Sequence, residues 1–387
     1  MAKNKSTTTV EIKSKIDRDE MISNLATEIN KTSKDGKVVY FLDDHDDPST
    51  VSDWISTGSS ILDLAISNRP NGGLPVGRMV ELNGLEGTGK SLIAAHIVAD
   101  TQKKGGVAVI IDTENSAAPE FWSSLGVDLK NLLYIPCDTV ESVFQHMENL
   151  ISVVRKSNKN RILTIIVDSV AGVSTKEELE GEHGKTGYAT GKAIILSRAM
   201  RKITSLIGRQ KVLIIFTNQL RQNLKAMAFG DPYIVSGGKA LAYHCSVRVR
   251  LANAGKLKRN EEVIGNKCKA IVVKNRMGPP QRKAEFDIYF DSGIADYSSW
   301  LAVLKTKDLI KQSGSSYTYV TDAGKEMKFM AKEFIELLTN DADFKSEIYK
   351  KFCDELIMIY KDPNSKIVED AVLESEDSVN DPESAED

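Results

Sequence analysis

Cysteine is scarce and scattered. Cys137, Cys245, Cys268 and Cys353 form no Cys-x-x-Cys pair, which argues against a zinc site and a disulfide framework and fits a reducing compartment. Long apolar runs are missing as well. Ile162–Val167, broken by Thr164, and Val212–Phe216 are the longest; both are strand-sized and far short of the ~20 residues that span a bilayer. The opening stretch MAKNKSTTTVEIKSK is polar and has no apolar segment of the secretory type. An intracellular protein without a membrane span is therefore expected. Basic surplus is lacking too, with 51 Lys and Arg against 54 Asp and Glu and a net charge of −3. The average conceals an asymmetry. Residues 367–387 hold nine acids and no Lys or Arg, so the preceding 366 residues carry +6. Such an acidic block reads as a disordered tail, and the deficit of positive charge does not exclude a nucleic-acid partner.

What is present is ordinary globular material, 41% hydrophobic and 27% charged, and 387 residues suggest two or three folded units at roughly 100–200 residues each. Residues 11–33 place Ile12, Ile16, Met21, Ile22, Leu25 and Ile29 near helical spacing, predicting a detached amphipathic helix that either docks on its own core or contacts another subunit. From residue 78 onward, β-branched runs (Arg78–Leu82, Val107–Ile111, Ile162–Val167, Val212–Thr217) alternate with helical stretches such as Glu141–Arg155 and Lys192–Gly208. That alternation predicts an α/β fold, a mainly parallel sheet covered by helices. After residue 244 three strand-like runs follow without helices between them, Ser246–Leu251, Lys269–Val273 and Ala284–Phe290, predicting an antiparallel extension. Residues 297–361 return to helical patterns around the polar insert QSGSSYTYVTDAGKE. The organisation expected is a helix and linker at 1–45, a core at 46–295, a small C-terminal α+β domain at 296–362 and the acidic tail at 363–387.

One motif carries explicit chemistry. Gly84-Leu85-Glu86-Gly87-Thr88-Gly89-Lys90-Ser91 matches GxxxxGK[ST] between the strand MVELN and the helical run Ser91–Gln102, with Leu92 in the first turn. Glycines let the backbone wrap a phosphate at the positive end of a helix. Lys90 would bridge the β- and γ-phosphates and the Ser91 hydroxyl would ligate Mg²⁺. A nucleotide–metal site of this kind needs a carboxylate at the end of a buried strand. Ile165-Ile166-Val167-Asp168 supplies it. In VAVIIDTEN, Glu114 is the candidate to polarise an attacking water and Asp112 the runner-up. Asn218 and Gln219 offer amides after the strand VLIIFT, where a turn-forming Asn is an equally common explanation.

Taken together, Ile55-Ser56-Thr57-Gly58-Ser59 with Leu62-Asp63, then GGLPVGRMVELNG, the phosphate loop, IIDTE, LGVD, IIVDSVA, EGE, AMRK, NQLR, SGGKAL, VVKNR and KAEF stand in the order and approximate spacing of bacterial RecA-type recombinases. The chain resembles that family over about residues 45–295, with a phage-related branch a candidate source. The resemblance implies a P-loop NTPase core of the RecA type using ATP and Mg²⁺. It makes Glu114 the water-activating base, Gln219 the γ-phosphate sensor, and Phe121 and Phe290 the aromatics beside adenine. Ala118 stands where the family often has an Asp reading the adenine edge. Lys274 and Arg276, two apart at a strand end and so on one face, take the place of a pair that reaches into the neighbouring subunit's ATP site.

The resemblance also implies two DNA loops, Glu180–Tyr188 and Arg221–Gly238, which without it read as ordinary surface loops. Their expected contributors to single-stranded DNA are Lys185, Ser197, Arg201, Arg221, Gly237, Gly238 and Lys239, with Leu224 or Phe229 wedging between bases. Tyr233 replaces a family Glu. The run Gly255–Arg259 is expected to be a basic hairpin tip, solvated or part of a second site for incoming duplex. The implied protein is a DNA-dependent ATPase that polymerises on single-stranded DNA as a homo-oligomeric helical filament and promotes pairing and strand exchange with double-stranded DNA. Single-strand-binding and loader proteins would assist it in the cytoplasm of a bacterium or a virus-infected host. A hexameric helicase of the same core fold and a mediator with a regulatory ATP site are the competing readings.

Overall fold

The computed structural model describes residues 19–34, 36–42, 44, 47, 50–170, 172–180, 188–208, 210–222, 233–235 and 240–360. The expected acidic tail from 363 onward, and Lys185, Leu224, Phe229, Gly237, Gly238 and Lys239, lie outside these residues. Two compact units divide the chain, residues 1–51 and 52–387.

In the first unit, helix α1 (Glu20–Thr32) begins where the Asp19 carboxylate accepts hydrogen bonds from the Met21 and Ile22 amides. This satisfies two donors that a helix start leaves unpaired. The Asn30 side chain then clasps the following chain, its Oδ1 accepting from the amides of Val38 and Val39 at 2.8 Å each. Of the apolar stripe expected from the periodicity, Met21, Ile22, Leu25 and Ile29 are exposed. Residues 11–18 of the expected helix are outside the described set.

The second unit opens with β1 (Trp54–Ile55), α2 (Ser60–Ser67) and β2 (Leu74–Pro75). The alternating part follows: β3 (Met79–Gly84), α3 (Lys90–Lys103), β4 (Val107–Asp112), α4 (Pro119–Ser124), β5 (Leu132–Pro136), α5 (Val140–Ser157) and β6 (Leu163–Asp168). Then come α6 (Lys176–Glu180), α7 (Tyr188–Ile207), β7 (Val212–Gln222), β8 (Tyr233–Val235) and α8 (Ala240–His244). The antiparallel part is β9 (Val247–Arg259), β10 (Glu262–Asn275), β11 (Lys283–Tyr289) and β12 (Gly293–Ile294). The chain continues through α9 (Asp296–Thr306), β13 (Ile310–Ser313), β14 (Ser316–Val320), β15 (Glu326–Met330), α10 (Ala331–Asn340) and α11 (Ala342–Leu356).

The large sheet has the order β12-β11-β10-β9-β3-β7-β6-β4-β5, with β8 on β7. From β5 to β9 every pairing is parallel; from β9 to β12 every pairing is antiparallel. Both expectations hold. Strand β4, the second half of β6 and the start of β7 read as continuous apolar runs because both faces are covered. Val80, Leu82, Ile110, Ile166, Leu213 and Ile215 face one core with Ile93, Ala94 and Ile97 of α3. Their neighbours Met79, Val109, Ile111, Ile165, Val167 and Ile214 face the other, against Phe144 and Met147 of α5 and Met200 and Ile203 of α7. This is the two-residue period of a strand, used on both sides.

One expectation needs correcting. Gly255–Arg259 is not a hairpin tip but the last part of β9, paired with β10 as far as Glu262↔Arg259; the turn falls at Asn260 and Glu261. Alternation of Lys256, Leu257 and Lys258 is a strand pattern, and two long antiparallel partners extended it. The polar insert at 312–326 forms the centre of a three-stranded sheet, β13-β14-β15, the β part of the α+β segment expected there. Its inward Tyr319 meets Phe344 edge-on at 5.9 Å, and Phe329 stacks on Phe334 at 5.3 Å. Those aromatics join the core that contains α3 and α9.

Candidate nucleotide site

Parallel strands end together, so the segments leaving β3, β4, β6 and β7 meet at one sheet edge, the usual ligand position in open α/β sheets. There a cavity of about 320 Å³ is lined by Glu86 through Leu92, Glu114, Phe121, Asp168, Ser169, Gln219 and Phe290, with Asn253, Asn266, Lys267, Cys268 and Ile288 from the antiparallel strands. Gly87 and Gly89 adopt φ of 70° and 94°, in the left-handed region where side chains are strained. Gly89 is also the N-cap of α3, so the amide end of a 14-residue helix opens into the cavity. Gly84 and Leu85 do not line it. Their carbonyls instead accept from the Lys90 ammonium at 3.2 and 2.9 Å. Burial lowers the Lys90 pKa against the pull of Asp168, Glu114 and Glu86.

The carboxylates divide their tasks by what they touch. Ser91 Oγ donates to Asp168 Oδ2 at 3.0 Å, and Thr217 donates to Asp168 Oδ1 at 2.5 Å. The pair offers one neutral and one anionic hard oxygen, a fit for Mg²⁺ that keeps water and phosphate oxygens as its other ligands. Among the described residues no group of three His, Cys, Asp or Glu could cage a metal alone. Glu114 Oε1 accepts from Ser169 Oγ and, at 3.3 Å, from Gln219 Nε2, and its side chain is exposed to the cavity. Asp112 is buried and saturated: it accepts from the amides of Glu114, Ser116 and Ala117 at 2.9–3.1 Å and from the Tyr134 hydroxyl at 3.1 Å. Glu114 faces the cavity, and Asp112 shapes the loop that holds it there.

Ser169, Thr217, Asn253, Asn266 and Cys268 were not foreseen. Ser169 and Thr217 are adjacent to, or paired with, residues that were, but their hydroxyls acquire meaning only across strands. Asn218 is not beside the cavity. It lies fully buried on the opposite face, its Nδ2 donating to Glu81 Oε1 at 2.9 Å, because neighbours along a strand point to opposite faces. Cys268 Sγ lies 3.6 Å from the Thr88 carbonyl, and burial pushes its thiol pKa up to about 12.

The remaining expected residues form a second locality. Lys274, at the end of β10, donates to the carbonyls of Ala242 and Tyr243 in α8 at 2.7 and 3.0 Å, and Arg276 is exposed. Neither lines this chain's own cavity. Arg201 on α7 joins them. His244, whose Nδ1 is 3.1 Å from the Thr204 hydroxyl, has its pKa lowered by burial and then by Arg201, Lys274 and Arg276. Ser197 is half-buried on α7, and Arg221 is exposed on β7. Lys192, also unforeseen, donates to the Val173 carbonyl, and its pKa is lowered by burial and by Arg221.

A glycine loop between strand and helix, faced by carboxylates from β4 and β6 across a mainly parallel sheet, defines a P-loop NTPase core of the RecA-like type. The sequence profile of the RecA N-terminal domain matches residues 20–295. The chain is 36% identical over 341 residues to Protein RecA of Frankia alni, covering 88% of this chain and 94% of that one. It is 37% identical to Protein RecA of Paracoccus denitrificans, covering 75% and 78% of the two chains, and 37% identical to that of Clostridium acetobutylicum, covering 81% and 86%. The chain belongs to the RecA family of recombinases.

Proposed function

We propose that this chain is a DNA-dependent ATPase that assembles as a helical filament on single-stranded DNA and carries out homologous pairing and strand exchange with duplex. The observation that carries the reading is the convergence of Lys90, Ser91, Asp168, Glu114 and Gln219 on one cavity. Phosphate loop, metal-compatible oxygens, an exposed base and a γ-side amide form a complete hydrolytic set. Mg-ATP would lie with its phosphates on the loop and its base between Phe121 and Phe290. ATP and Mg²⁺ supply the phosphoryl chemistry; Glu114 would hold the attacking water and take its proton. Gln219 bonds Glu114 from the strand that continues through Arg221 into the second DNA loop, which supports its role as the link between nucleotide and DNA. Ser197, Arg201 and Arg221, with Lys185, Leu224, Phe229, Gly237, Gly238 and Lys239 outside the described residues, are the proposed DNA contacts.

Two features support assembly. The exposed stripe of Met21, Ile22, Leu25 and Ile29 supports residues 1–45 as a polymerisation segment ahead of an ATPase core at 46–295 and a C-terminal domain at 296–362. Lys274 and Arg276, remote from their own cavity, would complete a neighbour's. A vestigial ATP site is disfavoured because no member of the hydrolytic set is replaced. Electron microscopy with single-stranded DNA and a slowly hydrolysed ATP analogue tests the proposal. Helical filaments that vanish in Lys90→Ala are expected; rings would favour a helicase, and isolated chains a mediator.

A further inference from the structure

A carboxylate lies completely buried beneath the large sheet, away from the nucleotide cavity. Glu81 on β3 has no exposed surface. Its Oε2 accepts from Arg248 Nε of β9 and its Oε1 from Asn218 Nδ2 of β7, so one side chain ties three adjacent strands. Taking such a pair out of water costs about as much as its attraction returns, and apolar residues of similar volume often serve stability as well or better. Stability alone does not explain its presence. Its position suggests another task.

On one side, Asn218 precedes Gln219, whose amide bonds Glu114 in the cavity, and β3 runs directly into the phosphate loop. On the other side, Arg248 is opposite Lys274 in the β9–β10 register. Lys274 in turn holds the carbonyls of Ala242 and Tyr243 in α8, and α8 closes the segment 223–239 that carries most of the proposed second DNA loop. Cys245, fully buried just after α8, has its thiol pKa raised mainly by burial, with Glu81, Arg248 and Lys274 all acting on it, which places the pair and the lysine in one electrostatic neighbourhood. Asn83, directly opposite Asn218 in the β3–β7 register, has a buried Oδ1 without a hydrogen-bond partner. A buried acceptor left unpaired is costly. The Asn83 Nδ2 donates to Glu81 Oε2 at 3.5 Å, so this amide too is held by the buried carboxylate.

We propose that the Glu81–Arg248 pair, with Asn218 on the same carboxylate, is a positioning device that couples the γ-phosphate side of the nucleotide cavity to Lys274 and to α8, the helix that follows the proposed second DNA loop in the chain. The inference rests on the DNA-dependent ATPase reading and names the residues that make hydrolysis respond to DNA. A shift of Gln219 on phosphate contact would be felt by Asn218 through the backbone, by Glu81 through the amide and by β9 and β10 through Arg248. None of the three lines the nucleotide cavity.

Two variants test it: Glu81→Met/Arg248→Leu, which replaces the pair by apolar side chains, and Asn218→Ala, which leaves the pair and removes the amide link. Three measurements apply to each: a thermal melt, binding of a fluorescent ATP analogue without DNA, and hydrolysis with and without single-stranded DNA. Both should melt cooperatively, bind nucleotide like the wild type and keep its DNA-independent rate, while DNA stimulation falls about tenfold, within the range of ordinary coupling energies. Wild-type stimulation in both variants overturns the proposal, as does loss of nucleotide binding in parallel with stimulation. If the double variant fails to melt cooperatively, Asn218→Ala decides alone. A wild-type chain that single-stranded DNA does not stimulate refutes the ATPase reading itself, an outcome separate from any behaviour of the variants.

Discussion

Two acids two residues apart, Asp112 and Glu114, show how neighbours in sequence acquire different chemistry. Asp112 ends β4 and spends its oxygens on three amides and a hydroxyl, whereas Glu114 projects from the loop those amides form. Their substitutions should therefore differ in kind. Glu114→Gln cannot act as a base, and hydrolysis should fall by about 10²–10⁴ with nucleotide binding, filament formation and melting temperature near wild type. Asp112→Asn supplies one acceptor oxygen where two are used, so buried donors go unpaired at about 1–3 kcal/mol. The melt should move down and the rate with it. Equal melting temperatures for the two variants would refute the division of labour.

At the scale of elements, β10 delivers Lys274 and Arg276 to a place where they serve no cavity of their own. Mixing a Lys274→Ala/Arg276→Ala chain with a Glu114→Gln chain should restore hydrolysis that neither has alone, since a mixed interface joins an intact finger to an intact base. Such fingers are worth about 10³–10⁵ in rate, so partial recovery is easily read; co-assembled mixtures that stay inactive at every ratio would remove the assignment. Helix α2 carries a different signal. Burial pushes the Asp63 carboxyl up to about 7, outweighing hydrogen bonds from Ser56 and Thr57, with Asp296 adding repulsion. The unfolded chain releases that proton near pH 3.9. The folded state therefore binds more protons across this window, and the site's contribution to stability is present below about pH 4 and is lost as pH rises to about 7. Replacing Asp63 by Asn should flatten the dependence of melting temperature on pH between these values, and an unchanged slope would place the linkage elsewhere.

For the whole molecule, the leading question is how a chain with net charge −3 engages a polyanion. Residues 367–387 hold nine acids, and the rest of the chain is positive by six. A tethered polyanion competes with phosphate at high local concentration. Deleting 367–387 should strengthen binding, most clearly to duplex, and the gain should shrink with added salt because exposed charges are screened. Duplex titrations of both chains at low and moderate salt check this; identical affinities at both would leave the tail as a solubilising appendage only.

The sequence by itself determined whatever depends on local pattern. A strand followed by GxxxxGKS and a helical run fixes a phosphate loop, because the backbone geometry and the residues that permit it are contiguous. Alternating apolar runs fix a sheet covered on both faces, because the two-residue and 3.6-residue periods are written in single segments. Tertiary structure decided what depends on which strand lies beside which. Glu114 and its runner-up Asp112 stand two apart in VAVIIDTEN, and only the folded loop shows Glu114 facing the cavity and Asp112 holding the loop's amides. Gln219 is the expected sensor and Asn218 stands open between amide ligand and turn former until β7 turns Gln219 toward the cavity and Asn218 toward Glu81, a residue 137 positions away in the chain. Gly255–Arg259 and the polar insert are strands through hairpin partners close in sequence, Glu262↔Arg259 and Ser313↔Ser316 among them, a pairing that a short window does contain. Contacts such as that of Asn218 with Glu81 are set by packing the whole sheet, and no short window of sequence contains them.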